Sequence, residues 1–186
     1  NGNVYAFGFF QSDTIVFGST TLVNANTDRT ADMFLVKYDP NGTVLWAKKF
    51  GGNGEDYANK MEIDAAGNLY IIGTSGSTSI VFGSTTLVGT QGYVLAKLDN
   101  QGNTIWAKGV VGAAALSIDV DSKGSIYLAG QCGINTTIGS LTVTSNRIWN
   151  ALVVKYDNNG NALWAKAAPS RNLATNYAVA SDTSGN

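Results

Sequence analysis

Histidine is missing from this sequence, which removes the Ser-His-Asp and Cys-His catalytic arrangements and the commonest zinc ligand in one step. Cysteine is almost missing. Cys132 stands by itself, so no intrachain disulfide can form and no C-x-x-C metal or redox motif exists. It reads as a small, half-buried hydrophobe rather than a reactive thiol. Charge is scarce as well: 13% of residues, about half the ordinary share, with a net charge of −1. No Lys/Arg run offers a footprint for nucleic acid or acidic lipid. No apolar run approaches the ~20 residues of a membrane helix, no signal peptide opens the chain, and no amphipathic helix of useful length can be drawn. A mature segment excised from something larger has this appearance.

What fills the chain is glycine (22), serine, threonine and asparagine around a 44% hydrophobic content. That mixture suits many short strands joined by tight turns, and 186 residues suffice for one domain with a real core.

The strongest signal is a repeat. Val36-Lys37-Tyr38-Asp39-Pro40-Asn41-Gly42-Thr43-Val44-Leu45-Trp46-Ala47-Lys48 returns as LAKLDNQGNTIWAK at 95–108 and as VVKYDNNGNALWAK at 153–166. Asp39, Asp99 and Asp157 lie 60 and 58 residues apart, and Trp46, Trp106 and Trp164 share that spacing, as do Gly42, Gly102 and Gly160. The period divides the chain into units 1–66, 67–123 and 124–186. Each unit opens with a strand bounded by glycine and centred on Tyr5, Tyr70 or Tyr127. Next comes IVFGSTTL, identical at 15–22 and 80–87 and degenerate at 136–143, which predicts an extra edge hairpin. The Lys-x-Asp-x-x-Gly-x-x-x-Trp stretch predicts a second hairpin around a type I turn, with Asp bonding the backbone two residues on and Gly in the left-handed position. Both faces of its strands are partly apolar, as in a strand held between neighbouring sheets. A last strand, 57–64, 113–121 or 177–182, runs into a further Asp-x-x-Gly turn. The alanines at 113–115 fit an inner strand crowded near an axis. Four strands per unit in tandem predict an all-β chain of three propeller blades.

These motifs resemble a known family. The G-N-x-Y-x-x-G strand, the A-K-x-D-x-x-G-N-x-x-W-A hairpin and the I-x-x-D-x-x-G-N turn are similar to the bacterial propeller repeats called SBBP, best in residues 68–73 and 95–108. Phe50-Gly51-Gly52-Asn53-Gly54-Glu55-Asp56 resembles that family's G-G-x-G-x-D connector, which the other two units lack. The resemblance implies a non-catalytic module of large secreted or surface-displayed bacterial proteins, often exported by the type IX route. It carries over no catalytic residue. Three blades cannot close a ring, since closed propellers have typically four to eight. The expectation is that the ring continues in further blades of a parent chain, or that two copies form a homodimer of six blades. Residues 177–182 then form a strand looking for a partner.

Few constellations carry chemistry. The Asp-Asn turns lack the distal Glu of a calcium loop, so turn geometry explains them, with weak calcium binding at Asp99 or Asp157 the minor reading; no cofactor is expected. Glycan hydrolysis needs two carboxylates across a cleft, and the acids outside turns are Glu55, Glu62, Asp13, Asp28, Asp32, Asp56 and Asp119. Glu55 and Asp56 sit together in the connector and are ligand-contact candidates. The three repeated tryptophans read as packing between blades rather than a sugar platform, and Lys37, Lys97 and Lys155 as lysines that keep their amines wet. Trp149 breaks the repeat, and with Arg147 it is the preferred ligand contact. The reading is a non-enzymatic binding or scaffold module, extracellular or on a bacterial surface, mediating adhesion to a protein or glycan, with no nucleic acid and no membrane insertion. The alternatives are part of a propeller enzyme whose catalytic residues lie elsewhere, and a self-assembling half-propeller.

Overall fold

The computed structural model describes residues 2–26, 28–145, 149–168 and 170–182, and these are all-β, with 17 strands paired antiparallel and no helix among them. In chain order they are β1 (Val4–Phe10), β2 (Thr14–Phe17), β3 (Thr20–Val23), β4 (Asp32–Tyr38), β5 (Val44–Gly52) and β6 (Asp56–Ile63). There follow β7 (Leu69–Ser75), β8 (Ser79–Phe82), β9 (Thr85–Val88), β10 (Gly92–Leu98), β11 (Thr104–Val111) and β12 (Ala113–Val120). The last are β13 (Ile126–Cys132), β14 (Thr136–Ile138), β15 (Leu141–Val143), β16 (Asn150–Tyr156) and β17 (Ala162–Ala168).

Two sheets have four strands each, in the orders β6-β7-β10-β11 and β12-β13-β16-β17. Each begins with the strand that ends one sequence unit and continues with three strands of the next. β6, the fourth strand of unit 1–66, pairs in the second sheet, and the unit whose expected fourth strand does not form is 124–186. The first sheet therefore holds three main strands, β1, β4 and β5, lengthened by β8 and β9 to the order β1-β4-β5-β8-β9. The extension is brief: Gly51 pairs with Val81 and Gly52 with Ile80. Glycine is required there, because a Cβ on Gly52 would lie 1.8 Å from the Ser79 carbonyl oxygen and one on Gly51 1.9 Å from Asp32 Oδ1.

The predicted small hairpins are β2-β3, β8-β9 and β14-β15. They lie over outer strands, β3 on β5, β9 on β11 and β15 on β17, where they cover edges that would otherwise invite pairing with another chain. Ile80 and Phe82 are fully buried, and Phe82 stacks on Phe50 at 5.1 Å.

The alternation of side chains along a strand feeds two cores at once. From β7, Leu69 and Ile71 join Met33, Leu35 and Phe50 of the first sheet, while Tyr70 and Ile72 join Ala113, Ile118, Leu128 and Leu152 of the third. Burying each such aliphatic side chain stabilises by about 2 kcal/mol. The sheets therefore stack in series with apolar contact on both faces of the middle one.

β12 is an edge strand, yet Ala113 and Ala115 are buried, because it packs on β6 and β7. Asn59 Nδ2 donates to the Ala115 carbonyl at 2.7 Å and Lys60 Nζ to the Ile118 carbonyl at 3.3 Å. Both inner strands carry a bulge at the same place, between Ala58 and Lys60 and between Ala115 and Ser117. Residues 177–182, expected as a strand, have no ladder. Their backbone donors go to side chains instead: Val179 N–H to Ser117 Oγ at 3.3 Å and Ser181 N–H to Asp119 Oδ2 at 2.6 Å.

Candidate binding surface and the joints between blades

Each hairpin turn is closed by its aspartate. Asp39 Oδ1 accepts from Asn41 N–H and Thr43 N–H, both at 2.8 Å, and Gly42 takes the left-handed conformation at φ 82°. Asp99 and Asp157 repeat this and add a side-chain bond, Asn103 Nδ2 or Asn161 Nδ2 to Oδ2 at 2.9 Å. The Asn161 side chain and backbone N–H hold the Asp157 carboxyl below its ordinary range. These carboxylates serve the turn.

The turn of one unit sits on the tryptophan of the unit before it. A Cβ on Gly102 would meet the Trp46 ring at 2.9 Å, and one on Gly160 the Trp106 ring at 3.0 Å. Trp106 Nε1 donates to the Asn158 carbonyl at 3.2 Å, and Lys37 Nζ to the Asn100 carbonyl at 3.0 Å. Lys37, Lys97 and Lys155 each stand over the tyrosine of their own unit, Tyr5, Tyr70 and Tyr127, about 5 Å from its ring centre. Lys97 does not keep its amine wet. It is 7% exposed and bonds Asn158 Oδ1, which also accepts from Tyr70 O–H at 3.1 Å. The joint is thus an aromatic ring under a glycine, clamped by a lysine that the next turn's oxygens satisfy.

A second joint lies under the glycine connector. Asp56 is buried and its carboxylate is engaged throughout: Oδ1 accepts from Ser75 Oγ at 2.6 Å, Oδ2 from Ser77 Oγ and Gly52 N–H at 2.8 Å. Asp32 is equally buried; its Oδ2 accepts from Ala25 N–H at 2.6 Å and pairs with Lys49 at 3.2 Å, while Oδ1 has no partner. Burial raises both carboxyls above their ordinary value against the pull of these bonds, and the Asp32 charge adds to the rise at Asp56. Glu55 Oε2 accepts from Ala31 N–H at 2.9 Å, tying the connector to the loop before β4. Above this network a cleft of about 530 Å³ is lined by Lys49, Gly51, Gly52, Asn53, Thr78 and Ser79.

The ligand-contact candidates are not brought together. Glu55 and Asp56 join the first and second sheets, whereas Trp149 precedes β16 in the third. Trp149 has φ 67° and is 44% exposed, and its carbonyl accepts from Ala174 N–H at 3.0 Å. Arg147 lies outside the described residues. Cys132 is fully buried rather than half-buried, and burial pushes its thiol up. The roles of Ser75 and Ser77 escaped the sequence reading, because Cys132 takes the register position of Ser75 in the third sheet and Ala113 that of Asp56. The available signal was the polar Ser75-Gly76-Ser77 run directly after an apolar strand. No group of three or more Cys, Asp or Glu able to hold a metal occurs among the described residues.

Four-stranded antiparallel sheets, stacked in series through their inner strands and not closed into a barrel, define a β-propeller-like repeat architecture. No family model matches the chain. An uncharacterized WD repeat-containing protein of Acanthamoeba polyphaga mimivirus is 28% identical over 190 residues, an alignment covering 82% of this chain and 14% of the viral protein. The chain therefore corresponds to a small part of that relative's length. WD repeats are themselves propeller blades, so sequence and structure agree on the repeat class.

Proposed function

We propose that this chain is a non-catalytic propeller module that binds or scaffolds, with Trp149 as the centre of a contact surface for a glycan or protein partner. The observation that carries this reading is the backbone of Trp149. A bulky residue at positive φ is a local cost that folds retain where the surroundings fix it, and such positions cluster at functional sites. Here the strain holds a large ring half out of the surface, and a flat exposed indole favours stacking on a sugar. The carboxylates argue in the same direction. Asp56 is engaged throughout by donors inside the fold, and Asp39, Asp99 and Asp157 brace their own turns, so none of these stands ready as a general acid.

The finer reading is the bacterial SBBP type, secreted or surface-displayed and exported by the type IX route. It rests on the motif resemblance; the viral relative is a WD repeat protein and speaks for the propeller class only. The test is a neutral-glycan array and a tryptophan-fluorescence titration with the bound oligosaccharides. Saturable binding without release of reducing ends, weakened at least tenfold by Trp149→Ala, is the expected result. Turnover of any oligosaccharide, or binding indifferent to Trp149→Ala, overturns it.

A further inference from the structure

The joint between the second and third sheets is built from smaller side chains than the joint between the first and second, and they leave a cavity. We propose that this cavity binds a small molecule carrying a carboxylate, with Tyr156 and Lys108 as the donors that recognise it. Trp149 stands beyond the opposite end of β16 from Tyr156, so the site is separate from the Trp149 surface and does not rest on it.

The first observation is a pattern of substitutions between the two joints. In the first, Phe50 of β5 stacks on Phe82 of β8 at 5.1 Å, in the same core as the fully buried Leu98. The repeat places Val110, Ile138 and Tyr156 at those three positions, and Gly109 where Lys49 stands. The structure superposes them in the same way. A Cβ on Gly83 would lie 3.6 Å from Thr104 Oγ1, and one on Gly139 lies 3.8 Å from the Ala162 Cβ. Two rings are thus replaced by aliphatic side chains and a threonine by alanine. Interiors are otherwise close-packed, yet here about 320 Å³ stays open, lined in part by Lys108, Gly109, Val110, Ser140, Tyr156 and Ala162. Small-molecule sites span about 300–1,000 Å³.

The second observation is independent and concerns one proton. Tyr156 lines the cavity while only 2% exposed, and its hydroxyl is hydrogen-bonded to that of Tyr93, which is 1% exposed. Met33 and Leu98 take these two positions in the first joint, so the pair is peculiar to the second. Burial pushes Tyr156 up to about 12 and Tyr93 well above its ordinary value, and both hydroxyls keep their protons at neutral pH. Two protons share one bond. Neither hydroxyl has another partner among the described residues, so one O–H lacks an acceptor. With Tyr93 enclosed in the core and donating, the spare O–H belongs to Tyr156. A buried donor without an acceptor is costly, and a ligand oxygen removes that cost.

The lining sets the chemistry of the ligand. It includes no carboxylate, while Tyr156, Ser140 and the exposed Lys108 all offer donors. Lys108 makes no ion pair among the described residues. Asp157 is spent on its own turn, accepting from the Asn159 and Asn161 N–H groups at 2.9 and 2.8 Å. Val110 and Ala162 supply an apolar wall. A cation and two hydroxyls beside such a wall suit a carboxylate on a compact body, whether a sugar acid or an aliphatic acid.

The test is isothermal titration of the 186-residue chain with D-glucuronate, with D-glucose as its uncharged counterpart, and with cyclohexanecarboxylate as an acid without hydroxyls. Saturable binding of one or both acids is expected, with glucose weaker by about tenfold or more. Glucuronate alone assigns the site to acidic sugars, and cyclohexanecarboxylate alone to aliphatic acids; either supports the proposal. Tyr156→Phe keeps the ring, removes the O–H and should weaken the bound acid by about tenfold, and Lys108→Gln by about threefold. Lys48→Gln, the matching lysine of the first joint, should change nothing, and nor should Trp149→Ala. If Tyr156→Phe fails to fold, Lys108→Gln and the NMR shifts of the Gly109, Ser140 and Ala162 amides on titration locate the site. Absence of saturable binding overturns the proposal. So does glucose binding as tightly as glucuronate, and so does acid binding indifferent to both Tyr156→Phe and Lys108→Gln.

Discussion

β1 and β7 hold the same place in their units, open with the same Gly-Asn pair and carry a tyrosine in the same phase, yet they live in different surroundings. Val4 is 56% exposed where its counterparts Leu69 and Ile126 are wholly buried. The difference does not come from the strand's own residues. It comes from the neighbours: β6 and β12 flank β7 and β13, Leu69 packs into the first sheet and Ile126 against the second, and among the described residues no strand flanks β1 on its far edge and no preceding sheet faces Val4. In a serial stack of repeats each unit contacts its neighbours alone, so burial and stability are properties of joints rather than of blades. The Trp–Gly contacts and the Asp56 network are those joints.

The largest effect expected from breaking a joint is at Asp56. Asp56→Ala strands two buried hydroxyls and the Gly52 N–H, at a cost of about 3 kcal/mol in urea unfolding. Adding Ser75→Cys converts the site to the Ala–Cys pair found at Ala113 and Cys132 and should recover part of that loss; no recovery would mean the two positions are not equivalent. Trp106→Ala should cost about 3 kcal/mol, as large aromatic truncations do, while Trp164→Ala, at a ring 38% exposed, should cost less than half as much. Gly160→Ala meets both a left-handed φ of 74° and a ring at 3.0 Å, and Gly42→Ala meets only the φ of 82°. Both lose stability, Gly160→Ala by about 1 kcal/mol more.

The smallest expected effect is in pH dependence. Asp32 and Asp56 are raised above their ordinary value, so the stability linked to their protonated forms is present at low pH and lost as pH rises through their folded values. Asp157 is lowered, so its contribution is present above the ordinary carboxylate range and lost as pH falls through its folded value. Asp32→Asn should therefore gain about 2–4 °C of Tm relative to wild type on going from acid to neutral pH. A constant offset would show that the Asp32 charge carries no cost in the fold.

The repeat, the turns and the small hairpins could be read from the sequence because each is local. Asp39 closes its turn with residues two and four ahead, and alternation along 69–72 requires two apolar faces. What could not be read depended on neighbours. The apolar pattern of 177–182 promises a strand, but a strand exists only when something pairs with it, and here the donors turn to Ser117 and Asp119. Lys97 looks like any surface lysine until the turn of the next unit closes over it. The polar joint at Ser75 and Ser77 is hidden because the repeat does not conserve its chemistry, only its place.

The measurement that bears most directly on this account is native-state hydrogen exchange resolved strand by strand in dilute protein. Amides of β7 and β13 should be protected on both edges, while the β1 amides that point away from β4 exchange fast. Equal protection of all three strands in dilute protein would contradict the claim that joints, rather than blades, set where this chain is stable.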